Sequence, residues 1–215
     1  MQYAVLYFDL DDTLYANTNG LWDAIGSRMN EYLRDRMGFP PDEISEIRQT
    51  YYETYGTTLR GLQINHSVDA DDYLAFVHDL PIEEYIPPDP DLRAVLTSLP
   101  QPKWIFTNAD SNHADRVLGT LGVKDCFDGI IDVRALGFLC KPETDAYQRA
   151  LSLVNGYDPK QCVLFEDSVR NLEPARKLGF TTVLVGTDQN HPAANYVVNS
   201  LKDLHQAFPG LWSAD

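Results

Sequence analysis

The sequence predicts an α/β protein: a doubly wound, mainly parallel sheet with an all-helical unit inserted near the N-terminus. Five short runs rich in β-branched and aromatic residues show no polar alternation, the pattern of strands covered on both faces. Amphipathic segments of helical period separate the later runs, as crossover helices do. Between residues 16 and 88 no strand signal occurs.

The first strand is "AVLYF" (4–8), which ends abruptly in acids. Helices are expected over 21–37, 42–55, 57–65 and 69–79. In the second of these, Ile44, Ile47, Tyr51 and Tyr55 recur at three- and four-residue spacing and form one stripe. "LPIEEYIPPDPDL" (80–92) contains four prolines and reads as an extended connector, with a helix resuming near Asp91. The strand "KWIFT" (103–107) follows, then a helix over 111–121, "GIIDV" (129–133), a helix over 142–154, "CVLFE" (162–166), a helix over 168–178 and "TTVLV" (181–185). Gly122 and Gly179 stand where two of these helices need a C-terminal cap. No internal repeat or low-complexity tract is present.

The 215 residues suffice for one core with a sizeable insertion. Thirty-two acids against 17 Lys and Arg give a net charge of -15. Such a field repels polyanions, and no basic run offsets it, so neither a nucleic-acid polymer nor an anionic membrane is expected as partner. A small phosphorylated molecule remains compatible, because a metal or a single Lys reverses the field locally. No apolar run reaches membrane-spanning length, and the first is too short for a signal peptide. A soluble, cytoplasmic protein without an obligate protein partner is therefore expected. Cys126, Cys140 and Cys162 are odd in number and lack CxxC spacing, which suggests neither a disulfide framework nor a zinc knuckle. Cys140 adjoins Lys141 but reads as a small buried hydrophobe.

Asp9, Asp11 and Asp12 fall within four positions just beyond a strand. Two like unit charges about 4 Å apart repel by roughly 4 kcal/mol at a protein surface, so something must offset them. A calcium loop of EF-hand type does not fit, since Leu14 stands where Gly is required and the closing Glu is absent. Other strand ends carry matching chemistry: Thr107-Asn108 after "KWIF", Glu166-Asp167 after "CVLF", and Lys141-Pro142 before a helix. A parallel sheet gathers these termini on one edge. Carboxylates around one crevice suit a hard divalent cation, and Mg²⁺ typically takes one or two of them together with waters and phosphate oxygens.

These segments resemble the motifs of the haloacid dehalogenase-like (HAD) hydrolases. "FDLDDTLY" resembles the DxDxT signature, and "FTN", "KP" and "FEDS" follow in the order of the second, third and fourth motifs. The chain is also similar to the pyrimidine 5'-nucleotidase branch, through "YYETYGTTLRGL" with the following His66 and through "FTNADSNHADRVL". The resemblance spans essentially the whole chain. It implies a Rossmann-like core at 1–15 and 89–215, with a helical (C1-type) cap at 16–88. It further implies a Mg²⁺-dependent phosphatase of small phosphomonoesters working through an aspartyl-phosphate, with UMP and CMP as the implied substrates. Asp9 would be the nucleophile and Asp11 the acid that protonates the leaving oxygen and later activates water. Asp9, the backbone carbonyl of Asp11 and Asp167 would hold Mg²⁺, with Glu166 in or beside that ligand set. Thr107 and the backbone near Asn108 would grip phosphoryl oxygens, and Lys141 would neutralise charge between phosphate and nucleophile.

Rival functions share parts of this set. A sugar-phosphate phosphatase or phosphomutase of the same superfamily uses the same core and a similar cap. A dehalogenase lacks the second motif aspartate, here Asp11. A receiver-like phosphoacceptor module also combines acids, Thr and Lys, but it needs no cap and takes its accepting Asp from a later strand. In the cap, Arg60 and His66 are the substrate-facing candidates, with Tyr55 as a flat wall unless its stripe serves only packing. Tyr15 lies where cap and core should meet, and His113 is a candidate to face substrate. Asp12 is expected to point away from the crevice, Ser168 and Asn171 to serve a helix start, and His78, His191 and His205 to lie on the surface.

Overall fold

The computed structural model describes residues 3–16, 18 and 20–213. Among them, six strands form one sheet: β1 (Val5–Phe8), β2 (Lys103–Phe106), β3 (Gly129–Ile131), β4 (Cys162–Glu166), β5 (Thr181–Val185) and β6 (Tyr196–Val198). Their order is β3-β2-β1-β4-β5-β6, and every neighbouring pair is parallel. The missing polar alternation has a direct cause in β1. Val5 and Tyr7 enter the apolar cluster on one face of the sheet, while Leu6 and Phe8 enter the cluster on the other. Across the centre, Phe8 pairs in register with Phe165 and their rings stack 4.3 Å apart. The short β6 was not foreseen: only Val198 of its three residues is buried, too little for a period to show.

The crossover helices cover both faces. α5 (Pro90–Ser98) and α6 (Ser111–Leu121) pack Leu92, Leu96, Val117 and Leu118 on one side; α7 (Thr144–Leu153) and α8 (Val169–Leu178) pack Tyr147, Ala150, Leu172 and Ala175 on the other. Local chemistry fixes their ends. Asp110 caps α6 by accepting from the backbone N–H groups of Asn112 and His113. Gly122 and Gly179 close α6 and α8 at φ of 75° and 107°, the left-handed region that favours glycine.

Between β1 and α5 the chain is helical: α1 (Leu21–Glu31), a π-helical continuation (Tyr32–Arg36), α2 (Ile44–Tyr55), α3 (Thr58–Asn65) and α4 (Ala70–Val77). Tyr32, Leu33, Ile44, Leu59, Leu62, Tyr73, Leu74 and Val77 form an apolar cluster of their own, which Val133 joins from below. Leu21 and Ile25 of α1 belong instead to a sheet-face cluster, so α1 packs on the sheet as well as on its helical neighbours. After α2 the backbone turns at Gly56, with φ of 95°; a Cβ there would lie 2.7 Å from the Lys141 carbonyl oxygen. Only glycine permits this approach of the helical layer to the loop that carries Lys141.

Candidate active site

The strand order reverses around β1, and β1, β2 and β4 all end at one crevice, the position where doubly wound sheets bind ligands. β1 delivers Asp9, β2 delivers Thr107, and β4 delivers Glu166 and Asp167. Lys141 arrives on the loop before α7. Its ammonium is 1 % exposed and donates to Asp9 Oδ1 at 2.6 Å and to Glu166 Oε2 at 2.7 Å. Asn108 holds that loop in place: its Nδ2 donates to the Lys141 carbonyl and its Oδ1 accepts from the Lys141 N–H, at 2.9 and 2.8 Å. Thr13 Oγ1 lies 3.2 Å from Asp9 Oδ2 and 3.3 Å from Asp167 Oδ1, a hydroxyl link between the two carboxylates.

The charges do not balance within the cluster. Burial, then the charge of Glu166, raises the Asp9 pKa to about 7 against the pull of Lys141. Burial likewise lifts Glu166 to about 7, with Lys141 pulling it down and Asp167 adding to the rise, and burial with Asp9 lifts Asp167 to about 6. Lys141 is pushed down by burial, but Asp9 and Glu166 outweigh this and hold it charged. One ammonium thus serves several carboxylates. Oxygen atoms of Asp9, Glu166 and Asp167 lie within 4.8 Å of one another. This all-oxygen, anionic donor set fits a hard divalent cation, whose charge would relieve the repulsion that raises these pKa values.

Asp11 occupies a different environment. His113 Nε2 lies 2.9 Å from its Oδ1, and the Tyr15 hydroxyl donates to the same oxygen at 2.5 Å. Burial would raise the Asp11 pKa, but the His113 charge and these hydrogen bonds lower it overall. His113, 1 % exposed, stacks on His78 with ring centroids 4.2 Å apart, and His78 Nδ1 lies 2.8 Å from Asp110 Oδ2. The two carboxylates of the first motif therefore differ: Asp9 contacts a cation and other acids, whereas Asp11 is gripped by two rings.

Above the crevice an open cavity of about 530 Å³ lies between the sheet edge and the helices. Asp9, Asp11, Thr107, Asn108, Lys141, Glu166 and Asp167 all line it. Tyr15 and His113 reach it only through Asp11. Arg60, His66 and Tyr55 are not brought to it. Arg60 pairs with Glu143 at 3.4 Å, because α3 turns Thr58 and Leu59 toward the cavity and the next residue lies about 100° further round the helix. His66 is bonded to the Tyr51 hydroxyl at 2.7 Å, and the Tyr55 ring packs edge-on against Tyr51. Two further expectations are corrected. His78 is drawn inward by Asp110 rather than lying on the surface. Asp12, with φ of 66°, turns toward the cavity and leaves Oδ1 buried without a partner; burial and Asp11 raise its pKa to about 7. Thr13, His78 and the cavity residues Trp22, Arg48 and Tyr73 were not foreseen. Only Thr13 had a sequence signal, as the Thr of DxDxT.

The family model of haloacid dehalogenase-like hydrolases matches residues 3–179. Phosphate metabolism protein 8 of Saccharomyces cerevisiae is 30 % identical over 218 residues, covering 94 % of this chain and 68 % of the yeast protein. Among solved structures, the magnesium-bound HAD-hydrolase YfnB from Bacillus subtilis superposes with a TM-score of 0.62 at 17 % identity, over 96 % of this chain and 98 % of its own. L-2-haloacid dehalogenase from Xanthobacter autotrophicus superposes with a TM-score of 0.60 at 17 % identity, over 95 % and 97 %. No helix among the described residues is long and apolar enough to cross a membrane. On the family match over most of its length, the chain belongs to the haloacid dehalogenase-like hydrolases.

Proposed function

We propose that this hydrolase is a Mg²⁺-dependent phosphatase of small phosphomonoesters, with the pyrimidine nucleoside 5'-monophosphates UMP and CMP as preferred substrates, and that residues 16–88 act as the cap over a core of 1–15 and 89–215. The observation that carries the reading is the division of labour between the paired carboxylates: Asp9 sits against Lys141 and the acidic cluster, and Asp11 sits two residues on in a separate, ring-lined environment. Asp9 lies among acids where a bound cation would hold it in the ionised form a nucleophile needs, and Asp11 lies where it shares a proton with His113. The yeast relative's name, the magnesium bound to YfnB and the nucleotidase-like segments support it. The dehalogenase likeness is one of fold, and Asp11 supplies a function that a halide leaving group does not need.

In this reading a carboxylate oxygen of Asp9 attacks phosphorus and the bond to the leaving oxygen breaks, while Asp11 gives that oxygen the proton that the Asp11–His113 pair holds, leaving His113 neutral. Asp11, now ionised, takes a proton from water as the water attacks the aspartyl-phosphate; the bond from phosphorus to Asp9 breaks and inorganic phosphate leaves. Lys141 holds Asp9 in position and neutralises charge on the phosphoryl group, and Thr107 contacts its oxygens in this reading. Asp9 and Asp167, with Glu166 beside them, would hold Mg²⁺, which when bound stabilises phosphoryl charge. The test is phosphate release from UMP, CMP, AMP, GMP, hexose phosphates and an aryl phosphate, with Mg²⁺ and in excess chelator. Turnover fastest on UMP and CMP and abolished by chelator is expected. A single stoichiometric burst would indicate a phosphoacceptor instead, and faster turnover of hexose phosphates would replace the nucleotidase assignment.

A further inference from the structure

The roof of the cavity carries a cation that the fold leaves without a counter-charge. Arg48, on α2, lies along α1, where its Nη1 donates to the Gly26 carbonyl at 3.0 Å and to Asn30 Oδ1 at 2.7 Å. Both acceptors are neutral. Among the described residues no carboxylate lies within ion-pair distance of its guanidinium, in a chain with nearly twice as many acids as Lys and Arg. Its Nε is buried and has no hydrogen-bond partner. Tyr73, on α4, is 2 % exposed, and its hydroxyl is also buried without a partner. Both residues line the cavity, their unbonded atoms lying just beneath its surface. Buried donors are almost always bonded, so two unbonded ones at a cavity mark a place where a partner is missing.

The surrounding wall narrows the class of that partner. Trp22, Ile25, Leu74 and Val77 line the same cavity and offer apolar surface, which suits a flat ring. Arg48 and an unpaired phenol offer donors, so the group they await is an acceptor. In the phosphatase reading the phosphate end lies at Asp9 and Lys141, at the sheet edge of the same cavity.

We propose that Arg48 and Tyr73 form a leaving-group subsite that binds a carbonyl oxygen on a planar ring, and thereby select substrate. This rests on the phosphatase reading above and deepens it. It replaces Arg60 and His66, which the fold turns away, with residues on two other helices. Uracil and cytosine each carry a ring carbonyl, whereas a phenyl ring carries none and a hexose carries hydroxyls on a non-planar body.

The test compares kcat/KM for UMP and phenyl phosphate, with Mg²⁺, in wild type, Arg48→Met and Tyr73→Phe. Arg48→Met keeps the apolar stem and removes the donors. It should lower the UMP-to-phenyl-phosphate ratio by roughly 10- to 100-fold, chiefly through KM, the range for a hydrogen bond to a charged group. Tyr73→Phe keeps the packed ring and should lower the ratio roughly 3- to 10-fold; it decides the matter if Arg48→Met does not fold. Arg48→Lys should restore part of the ratio. An unchanged ratio in Tyr73→Phe together with an unchanged ratio in any folded Arg48→Met would overturn the subsite while leaving the phosphatase intact. Absence of phosphate release from both esters by the wild type would instead remove the phosphatase reading, and the subsite with it.

Discussion

Replacing Asp9 by Asn should abolish turnover and at the same time stabilise the metal-free protein. The amide keeps the shape: its oxygen can accept from Lys141 Nζ, and its NH₂ can donate toward Thr13 and Asp167, which lie on the Oδ2 side. The Lys141 ammonium retains Glu166 as partner. Removed is a carboxylate whose pKa burial and Glu166 have raised to about 7 from about 3.9 in an unfolded chain. Three units at about 1.4 kcal/mol each set an upper limit of about 4 kcal/mol, and about 2–4 kcal/mol is expected. For a chain of this size that corresponds to a rise in Tm of roughly 5–15 °C.

The pH dependence has a definite sign. With the folded pKa above the unfolded one, the stability associated with protonated Asp9 is fully present below about pH 4 and is lost as pH rises toward 7. The advantage of Asp9→Asn should therefore be complete at pH 8 and less than half as large at pH 5. Thermal unfolding of both proteins in chelator at the two pH values measures this, with phosphate release assayed in parallel. Saturating Mg²⁺ should erase the difference by neutralising the wild-type cluster. An Asp9→Asn Tm at or below that of wild type at pH 8 without metal, or an equal gain at both pH values, would refute the reasoning.

Asp167→Asn should leave the fold intact but raise the Mg²⁺ concentration needed for half-maximal activity at least roughly tenfold, measured by metal titration; an unchanged requirement would exclude Asp167 as a ligand. Gly61→Ala should destabilise the helical layer, because a Cβ there would lie 2.2 Å from Tyr51 Cγ, with an expected cost of about 1–3 kcal/mol; a Tm equal to wild type would show that Tyr51 shifts freely despite its bond to His66.

The sequence by itself determined five of the six strands and the chemical edge they share. Short β-branched runs without alternation, set between helical segments, read as strands covered on both faces, and helix ends marked by Asp110, Gly122 and Gly179 are set within a few residues of chain. Once the strands are parallel, their carboxyl ends must converge. Asp9, Thr107, Glu166 and Asp167 could thus be placed together without any distance being known, and the Lys141-Pro142 motif joined them through the family resemblance.

The tertiary structure alone decided what faces the cavity from above. A helix pattern shows which residues share a stripe, but not which stripe meets which neighbour, because that depends on contacts among α1, α2, α3 and α4 distant in sequence. The packing of Leu59 and Leu62 into the helical cluster turned Arg60 toward Glu143 and left Arg48 and Tyr73 at the roof. Long-range contact also drew His78 onto Asp110 and His113, and a positive φ at Asp12 turned an acid inward that its position alone would have left in solvent. Local sequence fixes where a strand or helix ends; only packing between elements fixes which way the side chains of a mobile-looking polar surface are held, and on that depends what this hydrolase can recognise.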